Sequence, residues 1–373
     1  MPQDSIGSDH DFTERNAGAP ESGGDASSLG GAKTEGPGGV ARLGVVDRYE
    51  LIKKLGQGGF GAVYRARDTV AEIDVAVKAL PPLIVHNAEE LERVRKNFQL
   101  VSRLSHPHIA GTRHLHRIDR VDAPASERLR LDPGDYLVVM EYVPGSTLSA
   151  WRYQFDDDTV PADVALDVCA QLAEALDYAH AQRIVHRDIK PSNVMVVTGR
   201  EGRIDCRILD FGLAAEIRSS MSRVSTEAGD TSGTRPYMAP EQWTGRQQGA
   251  ATDQYALAVL FYELVSGAVP FASAFETNDS AVMLNVAENR TPEPLEVLSK
   301  KQNRALLAAL AKDPRARFGS CTDFVAALGG RRVRAGTRNG AGTAFKWAAA
   351  LVFLCLLAAG AWYGHRAWRA RVH

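Results

Sequence analysis

The stretch GQGGFGAVYRARD, residues 56–68, poses the first question about this chain. Its glycines follow the spacing G-x-G-x-x-G and are Gly56, Gly58 and Gly61. This spacing occurs in dinucleotide-binding turns, where a strand ends and a helix begins, and in loops between two strands that cover a nucleotide's phosphates. Because AVYRARD alternates like a strand, the glycines lie inside a hairpin. The local pattern therefore favours the strand–loop–strand flap.

Strands and helices are segregated along the chain. RYELIKKL, GAVYRARD, DVAVKAL and DYLVVMEYV are typical of strands, with one helical pattern between Ala88 and Ser105. After that the chain is mainly helical, from ADVALDVCAQLAEALDYAHAQ through ATDQYALAVLFYELVSG to NRALLAALA. A strand-rich part followed by a helix-rich part predicts an α+β fold, because an alternating doubly wound sheet would interleave the two.

The two ends of the chain differ from its middle in composition and charge. Residues 1–46 carry seven acidic and three basic side chains and are rich in Gly, Ser, Ala and Asp. Such a segment buries too little apolar surface to offset its chain entropy, so we expect residues 1–47 to be disordered. Residues 331–373 carry eight Lys or Arg and no acid. This charge is typical of a solvated linker, a membrane-surface contact or a nucleic-acid contact.

The apolar segment WAAALVFLCLLAAGAWYG, residues 347–364, favours the membrane. It has no charge over 18 residues and as a helix spans roughly 27 Å, with aromatic residues near both ends. The alternative is a buried C-terminal helix, but a helix docked on a soluble domain normally has a polar face. We therefore predict a transmembrane helix over 347–364, between a basic linker over 331–346 and a short basic tail over 365–373, and no nucleic-acid partner.

The four cysteines do not form a recognisable metal motif. They are Cys169, Cys206, Cys321 and Cys355. No pair has C-x-x-C spacing, and histidines do not cluster near them in sequence as zinc ligands would. We interpret them as small buried apolar residues in a reducing compartment. The first residues lack an apolar run, so no signal peptide is expected.

Four further motifs follow the glycine loop in order. They are VAVK at 75–78, HRDIKPSN at 186–193, DFG at 210–212 and GTRPYMAPE at 233–241. In this order and spacing the chain resembles the eukaryotic-type (Hanks-type) serine/threonine protein kinases, including their bacterial membrane-anchored branch. The resemblance covers residues 48–330. It implies a bilobal fold, with a β-rich N-lobe over 48–143 and a helical C-lobe over 144–330.

The resemblance also implies a site for ATP and Mg²⁺ and a role for each matching residue. Phosphoryl transfer depends mainly on positioning and on charge neutralisation. Asp188, Lys190 and Lys78 would be catalytic, with Asp188 accepting the proton of the substrate hydroxyl, while Asn193 and Asp210 would bind the metal. The residues implied to surround the nucleotide are Gly56, Gln57, Gly58, Gly59, Phe60, Gly61, Val63, Ala76, Lys78, Met140, Glu141, Val143 and Met195.

Other matching residues would support this site. Glu241 and Arg317 resemble a buried ion pair that ties the activation segment to the C-lobe, and Asp253 resembles an anchor of the catalytic loop. Lys190 together with Thr234 is the serine/threonine-type pattern.

The segment between Asp210 and Glu241 is dense in serine and threonine. A phosphorylated residue there is expected to pair with Arg187, which directly precedes Asp188. The candidate residues are Ser225, Thr226 and Thr231.

One position departs from the family pattern. The glutamate that pairs with the strand lysine usually lies ten residues before the proline of an L-x-H-P segment, and here Pro107 places Asn97 at that position. Asparagine can accept a hydrogen bond from Lys78 but brings no charge, and the charge-assisted bond is roughly twice as strong. Glu90 and Glu92 are not obvious substitutes.

Two functions therefore remain open. The first is a membrane-anchored protein kinase that phosphorylates serine and threonine in protein substrates. The second is a membrane-tethered pseudokinase scaffold that binds ATP and partners. A small-molecule phosphotransferase is disfavoured, because the long serine- and threonine-rich segment builds a platform for a polypeptide.

The expected location follows from the chemistry. Kinase chemistry requires cytosolic ATP, so the kinase domain would be cytoplasmic, on a single-pass helix in the cell membrane. The flanking basic residues, five before the helix and three after it, agree with this orientation. Tethering would raise the local concentration and favour self-association for trans-autophosphorylation.

Overall fold

The computed structural model describes residues 42–58, 61–199, 202–211, 216–217, 219–220, 235–275 and 280–330. Four predicted features lie outside these ranges. They are most of the disordered N-terminal segment, Gly59 and Phe60 of the glycine loop, the phosphorylation candidates Ser225, Thr226 and Thr231 with Thr234, and the transmembrane helix 347–364. Among the described residues, no helix has the length and apolar character needed to cross a bilayer.

The N-lobe contains one antiparallel sheet of six strands in the order β1-β2-β3-β4-β6-β5. Its strands are β1 (Gly44–Val46), β2 (Tyr49–Gly58), β3 (Gly61–Asp68), β4 (Ile73–Ala79), β5 (Thr112–Arg117) and β6 (Tyr136–Glu141). Its helices are α1 (Pro82–Val85), α2 (Ala88–Val101) and α3 (Ala123–Leu129). Strands β2, β3, β4 and β6 and helix α2 confirm the pattern-based predictions.

Strand β1 corrects the N-terminal boundary, because it lies inside the segment 1–47 that we expected to be disordered. Val46 is fully buried, and Ala125 of helix α3 packs against Gly44. A Cβ at Gly44 would lie 2.5 Å from the Ala125 Cβ, so glycine permits this close approach. Apolar contact with α3 stabilises the strand, and composition alone does not reveal such a contact.

The C-lobe is mainly helical and adds a three-stranded sheet in the order β7-β8-β9. Its helices are α4 (Leu148–Trp151), α5 (Ala162–Ala181), α6 (Pro240–Trp243), α7 (Ala250–Ser266), α8 (Ala272–Phe275), α9 (Ser280–Asn289), α10 (Lys300–Ala309) and α11 (Cys321–Leu328). Its strands are β7 (Ser146–Thr147), β8 (Val194–Thr198) and β9 (Ile204–Ile208), and short 3₁₀ helices cover Arg152–Gln154, Asp156–Asp158, Pro191–Asn193, Arg235–Tyr237 and Pro314–Ala316.

Helices α5 and α7 form the centre of the C-lobe core. Leu172 and Leu176 of α5 and Leu257 and Leu260 of α7 are completely buried. Helix α7 is buried on every side, which explains why its sequence shows little amphipathic periodicity. This rigid pair supports the loop between α5 and β8, and that loop faces the N-lobe sheet.

Candidate active site

A cavity of about 510 Å³ lies between the two lobes. Val63 and Ala76 of the N-lobe sheet form one wall, and Met195 of β8 lines the C-lobe side. The end of β6 and the segment after it close the edge of the cavity, which is lined there by Met140, Glu141, Tyr142 and Val143. The apolar walls and the polar groups at one end are typical of a small-molecule site.

The glycine loop borders this cavity through Gly56, Gln57 and Gly61. Residues 56–58 and 61–63 pair across the hairpin of β2 and β3, which confirms the strand–loop–strand arrangement. Gly61 has a φ of +113°, and a Cβ there would lie 2.4 Å from the Ala79 carbonyl oxygen. Glycine is therefore required at position 61, because a residue with a side chain would be strained at this φ and would clash with the Ala79 carbonyl.

Lys78 of β4 and Asp210, which follows β9, meet in the cavity. Lys78 Nζ lies 2.7 Å from Asp210 Oδ2, and the two side chains are 7% and 17% exposed. Such burial strengthens the attraction relative to a surface pair. Asp210 has a φ of +53°, a strained conformation for a residue with a side chain and one that is common at active sites.

The loop between α5 and β8 brings three more predicted residues together. Asn193 donates through its amide nitrogen to the Asp188 carbonyl oxygen at 2.7 Å and to Asp188 Oδ2 at 2.9 Å. Lys190 Nζ lies 3.3 Å from the same Oδ2. Asp188 is 7% exposed and lines the cavity. Its carboxylate orientation is thus set by an amide and an ammonium group.

His186 joins this loop to the segment that carries Asp210. The Asp188 backbone N–H donates to His186 Nδ1 at 3.1 Å, so Nδ1 is the acceptor and Nε2 donates to the Leu209 carbonyl oxygen at 2.9 Å. The ring also makes an edge-on contact with Phe211, with centroids 4.8 Å apart. The positions of Asp188 and Asp210 are therefore coupled through one buried imidazole.

Asp253 of α7 anchors the same loop from below, which confirms its predicted supporting role. Its carboxylate accepts hydrogen bonds from the backbone N–H groups of His186 at 2.8 Å and Arg187 at 2.7 Å, and from His180 Nε2 at 2.7 Å. Burial alone would raise the pKa of Asp253, but the hydrogen bond and charge of His180 and the backbone N–H of Arg187 lower it. Arg187 has a φ of +66° and an exposed side chain, so the strained backbone is held while its guanidinium faces solvent.

The predicted ion pair between Glu241 and Arg317 is confirmed. Two guanidinium nitrogens of Arg317 contact the two Glu241 carboxylate oxygens at 2.8 and 2.9 Å, and the side chains are 0% and 3% exposed. Thr252 adds a hydroxyl donor at 2.9 Å. The bidentate geometry ties α6, at the end of the activation segment, to the C-lobe core.

A second buried cluster escaped the sequence reasoning. Glu263 of α7 accepts from the Tyr237 hydroxyl at 2.5 Å and pairs with Arg152 at 2.6 Å. Burial is the main cause that raises the pKa values of Glu263 and Tyr237. Tyr237 lies within the GTRPYMAPE motif, so the cluster fixes the segment directly before α6. No sequence spacing relates these three residues.

Asn97 occupies the helix position where the family pattern has a glutamate. Asn97 lies on α2 between buried Val94 and Val101, so it faces inward as its register predicted. Its amide oxygen is buried and has no hydrogen-bond partner among the described residues. Lys78 does not donate to it, because Lys78 contacts Asp210 instead.

The predicted site residues are thus divided as follows. The structure places most of them on one cavity: Gly56, Gln57, Gly61, Val63, Ala76, Lys78, Met140, Glu141, Val143, Asp188, Lys190, Asn193, Met195 and Asp210. Gly58 is the last residue of β2, whereas Gly59 and Phe60 lie outside the described residues. Lining residues that the sequence reasoning missed include Leu55, Ala110, Thr147 and Leu209. Leu55 and Leu209 adjoin motifs and could have been found from them, but Ala110 carries no such signal.

A β-sheet lobe and a helical lobe around a lysine, two aspartates and an asparagine define the scaffold of a protein kinase. Comparison with known families agrees, since residues 49–327 match the model described as "Protein kinase domain". The chain therefore belongs to the protein kinase family.

Its relatives include bacterial serine/threonine kinases. The chain is 33% identical to PknA of Corynebacterium glutamicum over 290 residues, covering 76% of this chain and 56% of that protein. It is 33% identical to PknB of Mycobacterium leprae over 284 residues, covering 76% of this chain and 42% of that protein. The chain thus spans about half the length of the curated relatives it matches.

Solved structures give the same assignment. A double mutant of the Mycobacterium tuberculosis PknI kinase domain matches with a TM-score of 0.58 and 25% identity. The match covers 78% of this chain and 98% of that one.

Proposed function

We propose that this chain is a membrane-anchored serine/threonine protein kinase, which transfers the γ-phosphate of ATP to serine and threonine hydroxyls of proteins. The observation that carries the proposal is the convergence of Lys78, Asp188, Asn193 and Asp210 on one cavity large enough for a nucleotide. Similarity to bacterial serine/threonine kinases supports serine and threonine as the residues that accept the phosphate.

The residues fit a hard divalent cation. Asp210 and Asp188 contribute carboxylate oxygens, and Asn193 uses its amide nitrogen for Asp188, which leaves an amide oxygen that can bind a metal. Oxygen donors of this kind suit Mg²⁺. When bound by Asp210 and Asn193, Mg²⁺ would neutralise the charge on the phosphate oxygens.

The chain's own residues would position the substrate hydroxyl, transfer its proton and enclose the nucleotide. Asp188 orients the substrate hydroxyl and accepts its proton, and Lys190 beside it offers positive charge where phosphate charge develops. Lys78 leaves Asp210 Oδ2 to contact the α- and β-phosphates. The hairpin of β2 and β3 covers the phosphates through its glycine backbone, and Val63, Ala76 and Met195 enclose the base.

The test is phosphate transfer from radiolabelled ATP by the full chain, purified in mild detergent, to itself and to a generic protein substrate. We expect transfer by the wild type, and loss of at least 100-fold in the Lys78→Met and Asp188→Asn variants, consistent with the size of positioning and acid–base contributions. Equal transfer by wild type and Asp188→Asn would reject kinase activity.

A pseudokinase scaffold is the second candidate, and one observation favours it. The partner of Lys78 is the predicted metal ligand Asp210, while the position of the usual helix carboxylate holds Asn97. A chain that binds Mg·ATP in a fluorescence titration, yet transfers no phosphate under any condition, would establish the scaffold function.

Regulation by phosphorylation of the activation segment belongs to this proposal. The exposed Arg187 guanidinium, on a backbone held by Asp253, is available to pair with a phosphate. We expect phosphate on Ser225, Thr226 or Thr231 in an active preparation. Mass spectrometry that finds the segment 215–234 unmodified in such a preparation would exclude the switch.

Membrane anchoring through residues 347–364 also belongs to the proposal and rests on the uncharged apolar segment. Deleting residues 340–373 should move the protein from the membrane fraction to the supernatant. Unchanged fractionation with membranes would overturn the anchor.

A further inference from the structure

Three potential metal ligands from distant parts of the sequence meet beneath the catalytic loop. They are Asp177 and His180, one turn apart near the end of α5, and Cys321, the first residue of α11. One oxygen, one nitrogen and one sulfur atom from these residues lie within 4.8 Å of one another. Cys321 is 1% exposed, and the site is separate from the cavity between the lobes.

His180 provides the observation that points to a ligand. Its side chain is 9% exposed, and its Nδ1 atom is buried without a hydrogen-bond partner among the described residues. The nearest carboxylate oxygen, Asp177 Oδ1, lies 3.8 Å away, which is too long for a hydrogen bond. A gap of this size between an imidazole nitrogen and a carboxylate oxygen is close to the spacing of two ligands on one zinc ion.

The surroundings of His180 match those of a metal ligand. Its other ring nitrogen, Nε2, lies 2.7 Å from Asp253 Oδ2. Metal-binding histidines are commonly oriented in this way, by a carboxylate that accepts a hydrogen bond from the ring nitrogen that does not bind the metal. Asp177 Oδ1 accepts a hydrogen bond from the Cys321 backbone N–H at 2.9 Å, which holds this carboxylate oxygen beside the first residue of α11.

We propose that Asp177 Oδ1, His180 Nδ1 and Cys321 Sγ bind one Zn²⁺ ion, with Asp253 orienting the imidazole from the opposite side. Zinc bonds of about 2.0–2.3 Å place ligand atoms about 3.3–3.8 Å apart in a tetrahedron, so modest side-chain rotations close the site. A mixed oxygen, nitrogen and sulfur set favours Zn²⁺ over Mg²⁺ or Ca²⁺. Asp177 is 24% exposed, which opens a path for the ion and for a water as fourth ligand.

Zinc binding would connect two helices that are far apart in the sequence. Cys321 begins α11, and Asp177 and His180 lie near the end of α5. The ion would thus join α5 to α11 and, through the contact between His180 and Asp253, stiffen the catalytic loop.

The test uses the full chain in mild detergent, without a polyhistidine tag, after removal of metal with a chelator. Co²⁺ is the probe, because it replaces Zn²⁺ and reports its ligands by absorption. We expect one equivalent to give a thiolate-to-cobalt band in the near ultraviolet and tetrahedral bands in the visible. We also expect one equivalent of Zn²⁺ to remain bound after gel filtration and to raise the midpoint of thermal unfolding.

The matched variants are Cys321→Ala and Cys169→Ala, which remove one buried cysteine each. The bands and the thermal shift should be lost in Cys321→Ala and retained in Cys169→Ala. No thiolate band in the wild type, or the same band in Cys321→Ala, overturns the site. Cobalt at the oxygen ligands of the nucleotide cavity gives no thiolate band, so this result is independent of the kinase assay.

Discussion

At the scale of single residues, the central feature is a lysine held by a different carboxylate from the one that the family pattern supplies. Lys78 contacts Asp210, whereas Asn97 keeps its amide oxygen buried and unpaired among the described residues. An unpaired buried amide costs about 1–3 kcal/mol, so the position is not optimised for stability. The pairing with Asp210 also occupies an oxygen that a metal ligand would need.

Replacing Asn97 with glutamate should therefore increase activity. A carboxylate on the inward face of α2 would draw Lys78 from Asp210, and the gain of a charge-assisted over a neutral hydrogen bond, about 1 kcal/mol, corresponds to roughly a fivefold rise in kcat/KM. The measurement is steady-state phosphotransfer. Asn97→Gln, equal in length but uncharged, should leave kcat/KM near the wild-type value; equal rates in both variants would show that position 97 does not reach Lys78.

A second residue-scale prediction concerns Lys312, whose buried ammonium has no hydrogen-bond partner among the described residues. Burial, and then the charge of Arg317, lowers its pKa from 10.5 to about 8. Between pH 8 and 10.5 the unfolded chain binds more protons, so this group makes the free energy of unfolding rise with pH over that window. Below pH 8 the destabilising effect is constant.

Lys312→Met should remove this dependence and raise the free energy of unfolding at pH 7. The gain should be about 1 kcal/mol, at the low end of the cost of a buried unpaired polar group, because the side chain remains partly exposed. Urea unfolding at pH 7, 8.5 and 10 measures both effects. A variant whose pH slope matches the wild type would show that Lys312 does not titrate in this range.

At the scale of helices and strands, the C-lobe joins its parts through buried polar pairs. Arg317, after the 3₁₀ helix Pro314–Ala316, contacts Glu241 of α6 and the Ala251 carbonyl oxygen at the start of α7. One guanidinium thus connects three segments of the C-lobe. Removal of one partner would leave the other charge buried.

We expect Arg317→Met to lower the free energy of unfolding by about 3–5 kcal/mol, the usual cost of breaking a buried pair. Urea unfolding is the measurement. Arg315→Met is the matched control, because Arg315 pairs with Asp313 on the surface and is 86% exposed. The interpretation fails if the two variants are equally stable.

At the scale of the whole molecule, the two lobes are connected by polar contacts beside the cavity as well as by the chain that runs from one lobe to the other. Arg207 of β9 pairs with Glu141, the last residue of β6, at 2.6 Å, and Glu141 Oε2 also accepts from the Gly111 backbone N–H at 3.1 Å. Nearby, His108 Nδ1 donates a hydrogen bond to the Cys206 carbonyl oxygen at 2.9 Å. The strand that leads to Asp210 is thereby fastened to the N-lobe.

Arg207→Met should loosen this connection and raise the KM for ATP by about two- to fivefold with little change in kcat. The pair is about one-third exposed, so its contribution is at most about 1 kcal/mol. Arg203→Met, an exposed arginine before the same strand, is the control and should leave KM unchanged. Initial rates over a range of ATP concentrations distinguish them, and an unaltered KM in Arg207→Met would contradict the coupling.

Much of the architecture was predictable from local patterns. The glycine hairpin, strand β4 with its lysine, and helices α5 and α7 each follow from residues close together in sequence. Helix α3 and strand β1 were missed, because APASERL is short and charged and GVV is too brief to show a period. Both are stabilised by packing on each other, as Ala125 against Gly44 shows.

The sequence by itself determined the order of the kinase motifs and the residue types they bring, because each motif is set by local backbone geometry and by the side-chain chemistry that phosphoryl transfer needs. Only the tertiary structure decided which distant side chains meet: Lys78 contacts Asp210, Glu263 contacts Tyr237, and Cys321 lies within 4.8 Å of His180. The reason is physical. Contacts between groups far apart in sequence depend on how lobes and helices pack, and this packing cannot be read from local sequence patterns.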